Sequence, residues 1–266
     1  MDIFSLRNKV AVVTGALGLL GKQHCLALAE AGASVVVTDI YDDKCRGFAS
    51  SLPDAIGVGG DITSNESLVS LRDIILSTYG HIDILINNAA VNDMFENPEQ
   101  VGELSKFENY PLESWKKSLD VNITGTFLAS QILGTVMAGT GKGSIINIAS
   151  TYGIVGPDQS LYQKSNGSQD FYKSPAYPAT KGAVINFTRY LAAYWGHRGV
   201  RVNTLSPGGV ENNHDEWFRE NYSQRTPLKR MATLSDYKGA IVFLASDASS
   251  YMTGSNLVVD GGCTAW

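Results

Sequence analysis

The sequence is poor in the residues that build disulfide frameworks, metal centres and nucleic-acid surfaces. It contains three cysteines and four histidines in 266 residues, and neither set has the spacing of a zinc or disulfide motif. We therefore predict no metal site, and the unpaired cysteines favour a reducing, cytoplasmic compartment. The formal net charge is −5 and no basic block stands out, which argues against a nucleic-acid partner.

Long apolar runs are also missing. No run approaches the roughly 20 residues that a membrane span requires. The first residues, MDIFSLR, lack the apolar stretch of a signal peptide. We therefore expect no membrane partner.

Apolar residues are nevertheless abundant, at 44% of the chain, and they fall in short runs between helical stretches. Continuous apolar runs are typical of strands buried on both faces of a parallel sheet. The runs lie at 10–14, 35–39, 82–86, 144–149, 200–205 and 257–259, and the helical stretches at 21–31, 64–79, 112–137, 176–195 and 235–246. This alternation predicts an α/β fold, a single-domain Rossmann-type doubly wound parallel sheet flanked by helices on both faces, over residues 1–266.

Two polar stretches, 92–111 and 157–174, are long for connections within a compact α/β fold. Connections of this length are usually functional or disordered.

A glycine-rich turn, TGALGLLG, follows the first predicted strand and opens the first helix. Gly15, Gly18 and Gly21 allow a tight turn, a close approach of the backbone to a pyrophosphate, and packing of the helix on the strand. The helix start then offers free N–H groups and a positive dipole to phosphates. The pattern predicts a dinucleotide site.

The second predicted strand ends at Asp39. A carboxylate at this place accepts hydrogen bonds from ribose hydroxyls and repels a 2′-phosphate. Ala16, Leu17 and Ile40 supply no arginine to bind that phosphate, so the sequence favours NAD over NADP. Asp61 has two interpretations: it bonds the adenine amine, or it shapes the entry of a helix whose start, TSNE at 63–66, resembles a capping box.

Tyr177 and Lys181 are four residues apart, so on a helix they project from one face. The pKa of tyrosine is about 10, and an ammonium roughly 4 Å from a phenolate lowers it by about 3 units at an effective dielectric of about 20. The pair therefore predicts a phenol that transfers protons near neutral pH. The alternative is ordinary solvated helix surface.

The accompanying motifs are NNAA at 87–90, DVNITG at 120–125, INIAS at 146–150, SPG at 206–208 and VDGG at 259–262. With the glycine turn, Asp39 and YxxxK, they resemble in content and order the short-chain dehydrogenase/reductase family, over nearly the whole chain. The resemblance implies that 1–266 is one NAD-binding catalytic domain.

The resemblance also implies site roles. Tyr177 would be the general acid/base, and Lys181 would lower its pKa and bond the nicotinamide ribose. Ser150 would bond the substrate oxygen, although a strand-end cap is an alternative. Asn122 would hold a water that links Lys181 to solvent, unless its amide is satisfied by backbone. Further cofactor contacts would come from Leu19, Leu20, Asp61, Ile62, Asn88, Ala89, Ala90, Pro207, Gly208 and Val210.

Four departures from the family pattern stand out. Leu19 replaces a usual glycine, which gives the glycine spacing of sugar-nucleotide epimerases and dehydratases. Ala90 replaces the glycine of NNAG, and Asn212 stands near the place of a frequent threonine. Ser150 and Tyr177 are 27 residues apart, about twice the family's separation. The segment 157–174 is therefore interpreted as an insertion at the active site.

The leading function hypothesis is an NAD-dependent oxidoreductase that interconverts a secondary alcohol and its ketone. The alternatives are a sugar-nucleotide epimerase or dehydratase, and a non-catalytic NAD-binding module. Tyr162, Tyr172, Trp217 and Tyr222 lie in otherwise polar segments, which suits a hydroxylated, sugar-like small molecule. Bacterial relatives in surface-glycan pathways share the glycine variant and point the same way.

Two structural expectations follow. Stripes of apolar residues on the helices 112–137 and 176–195, together with the resemblance, predict a homo-oligomer, most simply a tetramer. The stripes are Trp115, Leu119, Ile123 and Phe127 on the first helix, and Val184, Phe187, Leu191 and Trp195 on the second. The insertion is expected to act as a flexible lid that sets substrate choice, so that excising 158–172 leaves folding and NAD binding intact.

Overall fold

A computed structural model describes residues 2–92 and 101–266. Within them, seven parallel strands form one sheet in the order β3-β2-β1-β4-β5-β6-β7. The strands are β1 (Val10–Thr14), β2 (Ser34–Asp39), β3 (Ala55–Gly59), β4 (Ile84–Asn87), β5 (Gly143–Ile148), β6 (Val200–Pro207) and β7 (Asn256–Val259). The predicted doubly wound sheet is confirmed.

Helices cover both faces of the sheet. They are α1 (Leu19–Glu30), α2 (Asp42–Ala49), α3 (Asn65–Tyr79), α4 (Val101–Leu104), α5 (Leu112–Leu119), α6 (Thr126–Thr140), α7 (Ala176–Trp195), α8 (Glu216–Arg225) and α9 (Lys238–Ala245). Alternate strand residues point to opposite faces. Val13 packs in a core with α1, α2 and α9, whereas its neighbour Val12 packs in a second core with α3, α6 and α7.

Three elements differ from the sequence expectation. The strand β3 is not among the predicted apolar runs, because it is a half-buried edge strand that contains two glycines. The helix predicted over 112–137 is divided, since a π-helical turn, Asp120–Gly125, separates α5 from α6. The polar helix α8 has no clear apolar stripe, and its buried side chain is Tyr222.

The continuous helical segment Leu112–Thr140 is long and apolar enough, by length and composition, to cross a membrane. The sequence analysis considered uninterrupted apolar runs and did not identify this segment, because polar residues interrupt it. However, more than half of its apolar window is buried within the protein, where α6 packs on α3 and on β4 and β5. Buried core helices can have the same length and apolar composition as membrane-spanning helices.

Candidate active site

A cavity of about 960 Å³ opens at the carboxyl ends of the strands. The strand order reverses between β1 and β4, and ligands of open α/β sheets bind at such a switch point. The cavity is lined by residues that follow six of the seven strands, from Gly15 after β1 to Gly208 after β6.

The glycine turn has the geometry that a dinucleotide requires. Gly15 has φ of +60°, and a Cβ there would lie 2.6 Å from Cα of Ala89. A Cβ on Gly21 would lie 2.2 Å from the carbonyl oxygen of Gly15, so this glycine packs helix against turn and does not line the cavity. Gly18 is the N-cap of α1 and has no side chain that could cap the helix. The first N–H groups of the helix therefore remain available to a phosphate. The glycine turn and the start of α1 therefore fit the pyrophosphate of a dinucleotide.

Asn88 lines the cavity, but its amide stabilises the glycine turn. Its Nδ2 donates to the carbonyl oxygens of Thr14 and Gly15, at 3.0 and 2.9 Å. Thr14 Oγ1 accepts hydrogen bonds from the N–H groups of Asn88 and Ala89. Thr14 thus joins β1 to β4 beneath the site. The sequence analysis assigned it no role, although it opens the motif.

Asp39 lines the nucleotide end of the cavity, as predicted. Its carboxylate accepts from the backbone N–H groups of Leu17 at 3.1 Å and Ile40 at 2.8 Å. A carboxylate has about four lone-pair sites, so these bonds fix its orientation and leave sites for ribose hydroxyls.

Asp61 also lines the cavity, and the structure shows its role in the helix entry. Its Oδ1 accepts from N and Oγ1 of Thr63, at 2.8 and 2.7 Å. The expected capping box is wrong by one residue. Ser64 is the N-cap of α3 and accepts from the N–H of Ser67.

The other residues that the sequence predicted to contact the cofactor lie at the cavity. Leu19, Leu20, Ile62, Ala89, Ala90, Pro207, Gly208 and Val210 all line the cavity. Gly208 is held by its own N–H, which donates to Val259, and by its carbonyl, which accepts from the Tyr237 hydroxyl.

Ser150, Tyr177 and Lys181 meet in this cavity. Ser150 follows β5, and its Oγ accepts from the N–H of Tyr152 at 3.1 Å, so it caps a short 3-10 turn as the alternative interpretation expected. A Cβ on Gly153 would lie 2.7 Å from the carbonyl group of Lys181. The turn therefore packs directly on α7, which sets Ser150 beside Tyr177 despite the 27 intervening positions.

The pKa of Tyr177 differs from the expectation that Lys181 would lower it. Burial raises the pKa of Tyr177, and the hydrogen bond to Ser150 opposes this rise. Nζ of Lys181 donates to the carbonyl oxygen of Ile148 at 2.7 Å and lies 5.6 Å from the Tyr177 ring centroid. Burial also lowers the pKa of Lys181 to about 8. The fall in the tyrosine pKa that the sequence predicted from Lys181 is therefore not found, and desolvation raises this pKa instead.

Asn122 lies behind the cavity wall, in the π-helical turn. Its Oδ1 accepts from the N–H of Val91 at 2.8 Å, and its Nδ2 donates to the carbonyl oxygen of Val91 and to Oγ1 of Thr180. The backbone satisfies this buried amide, as the alternative interpretation expected. Asn122 thereby joins the connection after β4 to α7; its water-relay role stays a prediction.

Lys173 was missed by the sequence analysis. Its Nζ lies 4.5 Å from the centroid of the Tyr177 ring and lines the cavity. The sequence signal that could have identified it was its position near the end of the insertion, four residues before Tyr177.

The substrate half of the cavity has aromatic and polar walls. Of the four aromatic residues that the sequence singled out, Tyr162 and Tyr222 line it, whereas Tyr172 and Trp217 do not. Further lining residues that sequence reasoning missed are Tyr152, His214, Phe218 and Met231.

The insertion packs on α8 at the mouth of the cavity. Leu161 is 4% exposed and shares an apolar cluster with Tyr222 and Met231. Asp158 forms an ion pair with Arg225 at 2.8 Å. Excising 158–172 would remove the buried Leu161 and uncover its partners, so these contacts bear on the folding of the excised chain, and the lid stays a prediction.

The insertion also contacts the other long connection. The N–H of Tyr172 donates to Oγ of Ser105, and Lys173 Nζ is bonded to Oδ1 of Asn92. The two polar stretches therefore meet beside Tyr177, although residues 93–100 of the first lie outside the described part of the chain.

Known proteins resemble this chain along its whole length. A family model described as enoyl-(acyl carrier protein) reductase, of the short-chain alcohol dehydrogenase type, matches residues 15–264. A 3-alpha-(or 20-beta)-hydroxysteroid dehydrogenase of Mycobacterium bovis is 35% identical over 98% of this chain and 91% of its own. An NAD-dependent glycerol dehydrogenase of Listeria innocua is 34% identical over 98% of this chain and 96% of its own.

Solved structures agree in fold. A gluconate 5-dehydrogenase of Burkholderia cenocepacia, crystallised with NADP and tartrate, has a TM-score of 0.86 at 29% identity and covers 100% of this chain and 98% of its own. With the sheet order and the Ser150, Tyr177 and Lys181 cluster, these matches decide the family. The chain belongs to the short-chain dehydrogenase/reductase family and is an oxidoreductase that acts on CH–OH groups.

Proposed function

We propose that this protein is an NAD-dependent dehydrogenase of a polar secondary alcohol, working between that alcohol and its ketone. The observation that carries the proposal is the meeting of Ser150, Tyr177 and Lys181 in a cavity that continues to the glycine turn and Asp39. A proton-transferring group and a dinucleotide cradle within one cavity suit hydride transfer coupled to proton transfer.

The nicotinamide, when bound, supplies or accepts the hydride. Residues of the protein transfer the proton. Ser150 orients the substrate oxygen towards the Tyr177 hydroxyl, which lines the same cavity. In oxidation Tyr177 takes the proton from the alcohol, and in reduction it returns it. Lys181, a buried cation one turn along α7, stabilises the phenolate and offers an N–H donor to the nicotinamide ribose.

The preference for NAD rests on Asp39. Its carboxylate is held at the nucleotide end of the cavity by two backbone N–H groups, where it would repel a 2′-phosphate. Arg46, on the next helix, is paired with Asp42. Both cofactors occur among similar proteins, since the Listeria relative is NAD-dependent and the Burkholderia structure contains NADP.

A polar, polyol-like substrate is supported by the cavity walls. The hydroxyls of Tyr152 and Tyr162 lie 3.4 Å apart on the cavity wall. Aromatic faces with hydroxyl tips suit a hydroxylated ligand. The glycerol and gluconate dehydrogenases among the relatives act on substrates of this chemistry.

The test is the formation of NADH, followed by absorbance, over a panel of polyols, sugars and sugar acids. We expect turnover with at least one of them and a preference for NAD over NADP. An epimerase or dehydratase would convert a sugar nucleotide with no net redox change, and a binding module would bind NADH without turnover of the panel. Either result would reject the proposal, as would reduction of an enoyl thioester with no activity on alcohols.

We also propose a cytoplasmic homo-oligomer, most simply a tetramer. Within the predicted stripes, Val184, Leu191 and Trp195 are buried in the monomer, so that stripe is largely core. Phe127 and Phe187 of the predicted stripes continue into Tyr190 and Tyr194, and the four rings form a ladder along α6 and α7 in which Phe187 is half-buried and the others are exposed. The three cysteines are free thiols, as a reducing compartment maintains them.

The aromatic ladder supports a subunit contact, because Tyr190 and Tyr194 are 60% and 58% exposed and stacked on each other. Light scattering should give a multimeric mass, and the double variant Tyr190→Glu/Tyr194→Glu should give a lower one. The control is Tyr251→Glu, at a fully exposed tyrosine outside the ladder. A monomeric parent would refute the oligomer.

A further inference from the structure

We propose that His214 selects substrates that carry a second oxygen atom, by donating a hydrogen bond from its Nε2–H to that oxygen. The acceptor is a hydroxyl, carbonyl or carboxylate oxygen away from the carbon that is oxidised. This inference rests on the proposed function and narrows its substrate class to alcohols with such a second group. It makes His214 a specificity-determining residue of the reaction.

A backbone hydrogen bond fixes the tautomer of His214. Its Nδ1 accepts from the N–H of Asn212 at 3.1 Å, and a ring nitrogen that accepts carries no proton, so the proton of the neutral ring is on Nε2. Burial lowers the pKa of His214; Glu211 and Asp215 oppose the fall, and Arg219 adds to it. At neutral pH the ring is therefore neutral and has a single donor, Nε2–H.

Ring stacking fixes the orientation of this donor. The rings of His214 and Phe218 are stacked, with centroids 4.9 Å apart and an interplanar angle of 21°. Nδ1 faces the backbone of Asn212 and one ring face lies on Phe218, which leaves the edge with Nε2 to line the cavity. Among the described residues, no hydrogen bond or ion pair involves Nε2. A donor held in this way loses little further freedom when a ligand binds.

The wall that contains His214 continues to Ser150. The ring centroid of Phe218 lies 5.5 Å from that of Tyr162, and the hydroxyl of Tyr162 lies 3.4 Å from that of Tyr152. The N–H of Tyr152 in turn donates to Oγ of Ser150 at 3.1 Å. All five residues line one cavity. A ligand along this wall contacts aromatic faces and meets a polar group of the protein at each end.

The partial burial of His214 makes the donor selective. The side chain is half-buried, so an apolar ligand group that displaces water from Nε2–H leaves the donor without an acceptor. Leaving a donor unpaired costs more than the bond itself contributes. A site that hydrogen-bonds one group of its substrate therefore rejects the analogue without that group.

Two amide replacements of histidine separate its two nitrogens. Glutamine places its amide nitrogen near the position of Nε2, whereas asparagine places its amide near the position of Nδ1. His214→Gln therefore keeps a donor for the ligand, and His214→Asn keeps an acceptor for the N–H of Asn212. A residue that only supported the local backbone would tolerate asparagine better than glutamine.

The readout is the ratio of kcat/KM for threitol to that for 2-butanol, which have the same unbranched carbon chain. The parent should favour threitol. His214→Asn should lower the ratio by about 3- to 10-fold, and His214→Gln should keep it within about twofold of the parent. The control is His197→Gln, at an exposed position outside the cavity lining, which should leave the ratio unchanged. A lower ratio in His214→Gln, or an unchanged ratio in His214→Asn, would overturn the inference.

A binding measurement separates this inference from the proposed function. Titration calorimetry in the presence of NADH uses threitol, glucitol and gluconate as probes. The parent should bind at least one of them, with weaker binding by His214→Asn than by His214→Gln. This pattern without turnover of any alcohol would reject the proposed function and keep the inference. A parent that binds none of the three, or equal binding by the two variants, would overturn the inference.

Discussion

The two halves of the cavity are built in different ways. The nucleotide half consists of short turns after β1 and β2, with Gly15 and Asp39 held by neighbours from the same sheet edge. The substrate half consists of long segments, the insertion and α8, that pack on each other through Leu161, Tyr222 and Met231. One half is fixed by local backbone geometry and the other by contacts between distant segments. Changes in the first should therefore alter the cofactor, and changes in the second the substrate and the local stability.

The largest effect is expected where the halves meet. Tyr177→Phe removes the hydroxyl that we propose transfers the proton, while the ring keeps its packing. We expect kcat/KM to fall by about 10²- to 10⁴-fold, with NADH affinity unchanged when measured by calorimetry. Tyr152→Phe is the control, because this hydroxyl lies near Tyr162 in the same cavity. Activity of Tyr177→Phe within about tenfold of the parent would reject the acid/base role.

Next in size is a test of the substrate half as a packed unit. Leu161→Ala should lower the free energy of unfolding by about 2–5 kcal/mol, because it leaves a cavity between the insertion and α8. Urea unfolding measures the effect, with Leu228→Ala as the control at a leucine that is 64% exposed. If both variants unfold at the same urea concentration, the insertion is a loose lid after all, and the two halves differ less than the structure indicates.

The stability of the nucleotide half should depend on pH through His24. His24 is buried in α1 with no hydrogen-bond partner for either ring nitrogen within the described structure, and burial lowers its pKa from 6.5 to about 4. The unfolded chain then binds more protons than the folded one between these values, so stability is full above pH 6.5 and falls towards pH 4. One unit of pKa corresponds to about 1.4 kcal/mol.

In His24→Met this part of the acid loss should disappear, whereas His197→Gln, at an exposed position, should keep it. Unfolding midpoints measured between these pH values give the comparison. The same acid slope in the parent and in His24→Met would show that other groups cause the loss.

The smallest of these effects concerns cofactor choice. We expect kcat/KM to favour NAD over NADP by at least about tenfold, or about 1.4 kcal/mol, and Asp39→Ala to narrow the ratio. Asp61→Ala is the comparison, since Asp61 lines the same end of the cavity but its Oδ1 is bonded to Thr63. Equal use of both cofactors by the parent would refute the role assigned to Asp39.

The sequence by itself determined the parts of this protein whose chemistry is local. Alternating apolar runs required a parallel sheet, the glycine turn required a tight approach to α1, and the four-residue spacing on α7 placed Tyr177 beside Lys181. Each follows from backbone geometry within a few residues, and each is present in the fold.

Only the tertiary structure decided the rest. The edge strand β3 forms because neighbouring β2 offers it hydrogen bonds, and α8 forms against the insertion although it lacks an apolar stripe of its own. Asn122 is satisfied by Val91, and burial raises the pKa of Tyr177 although Ser150 opposes the rise. Lys173 reaches the tyrosine ring because Gln159 holds its backbone. Contacts between segments far apart in sequence, and the desolvation they cause, have no signature in the spacing of residues.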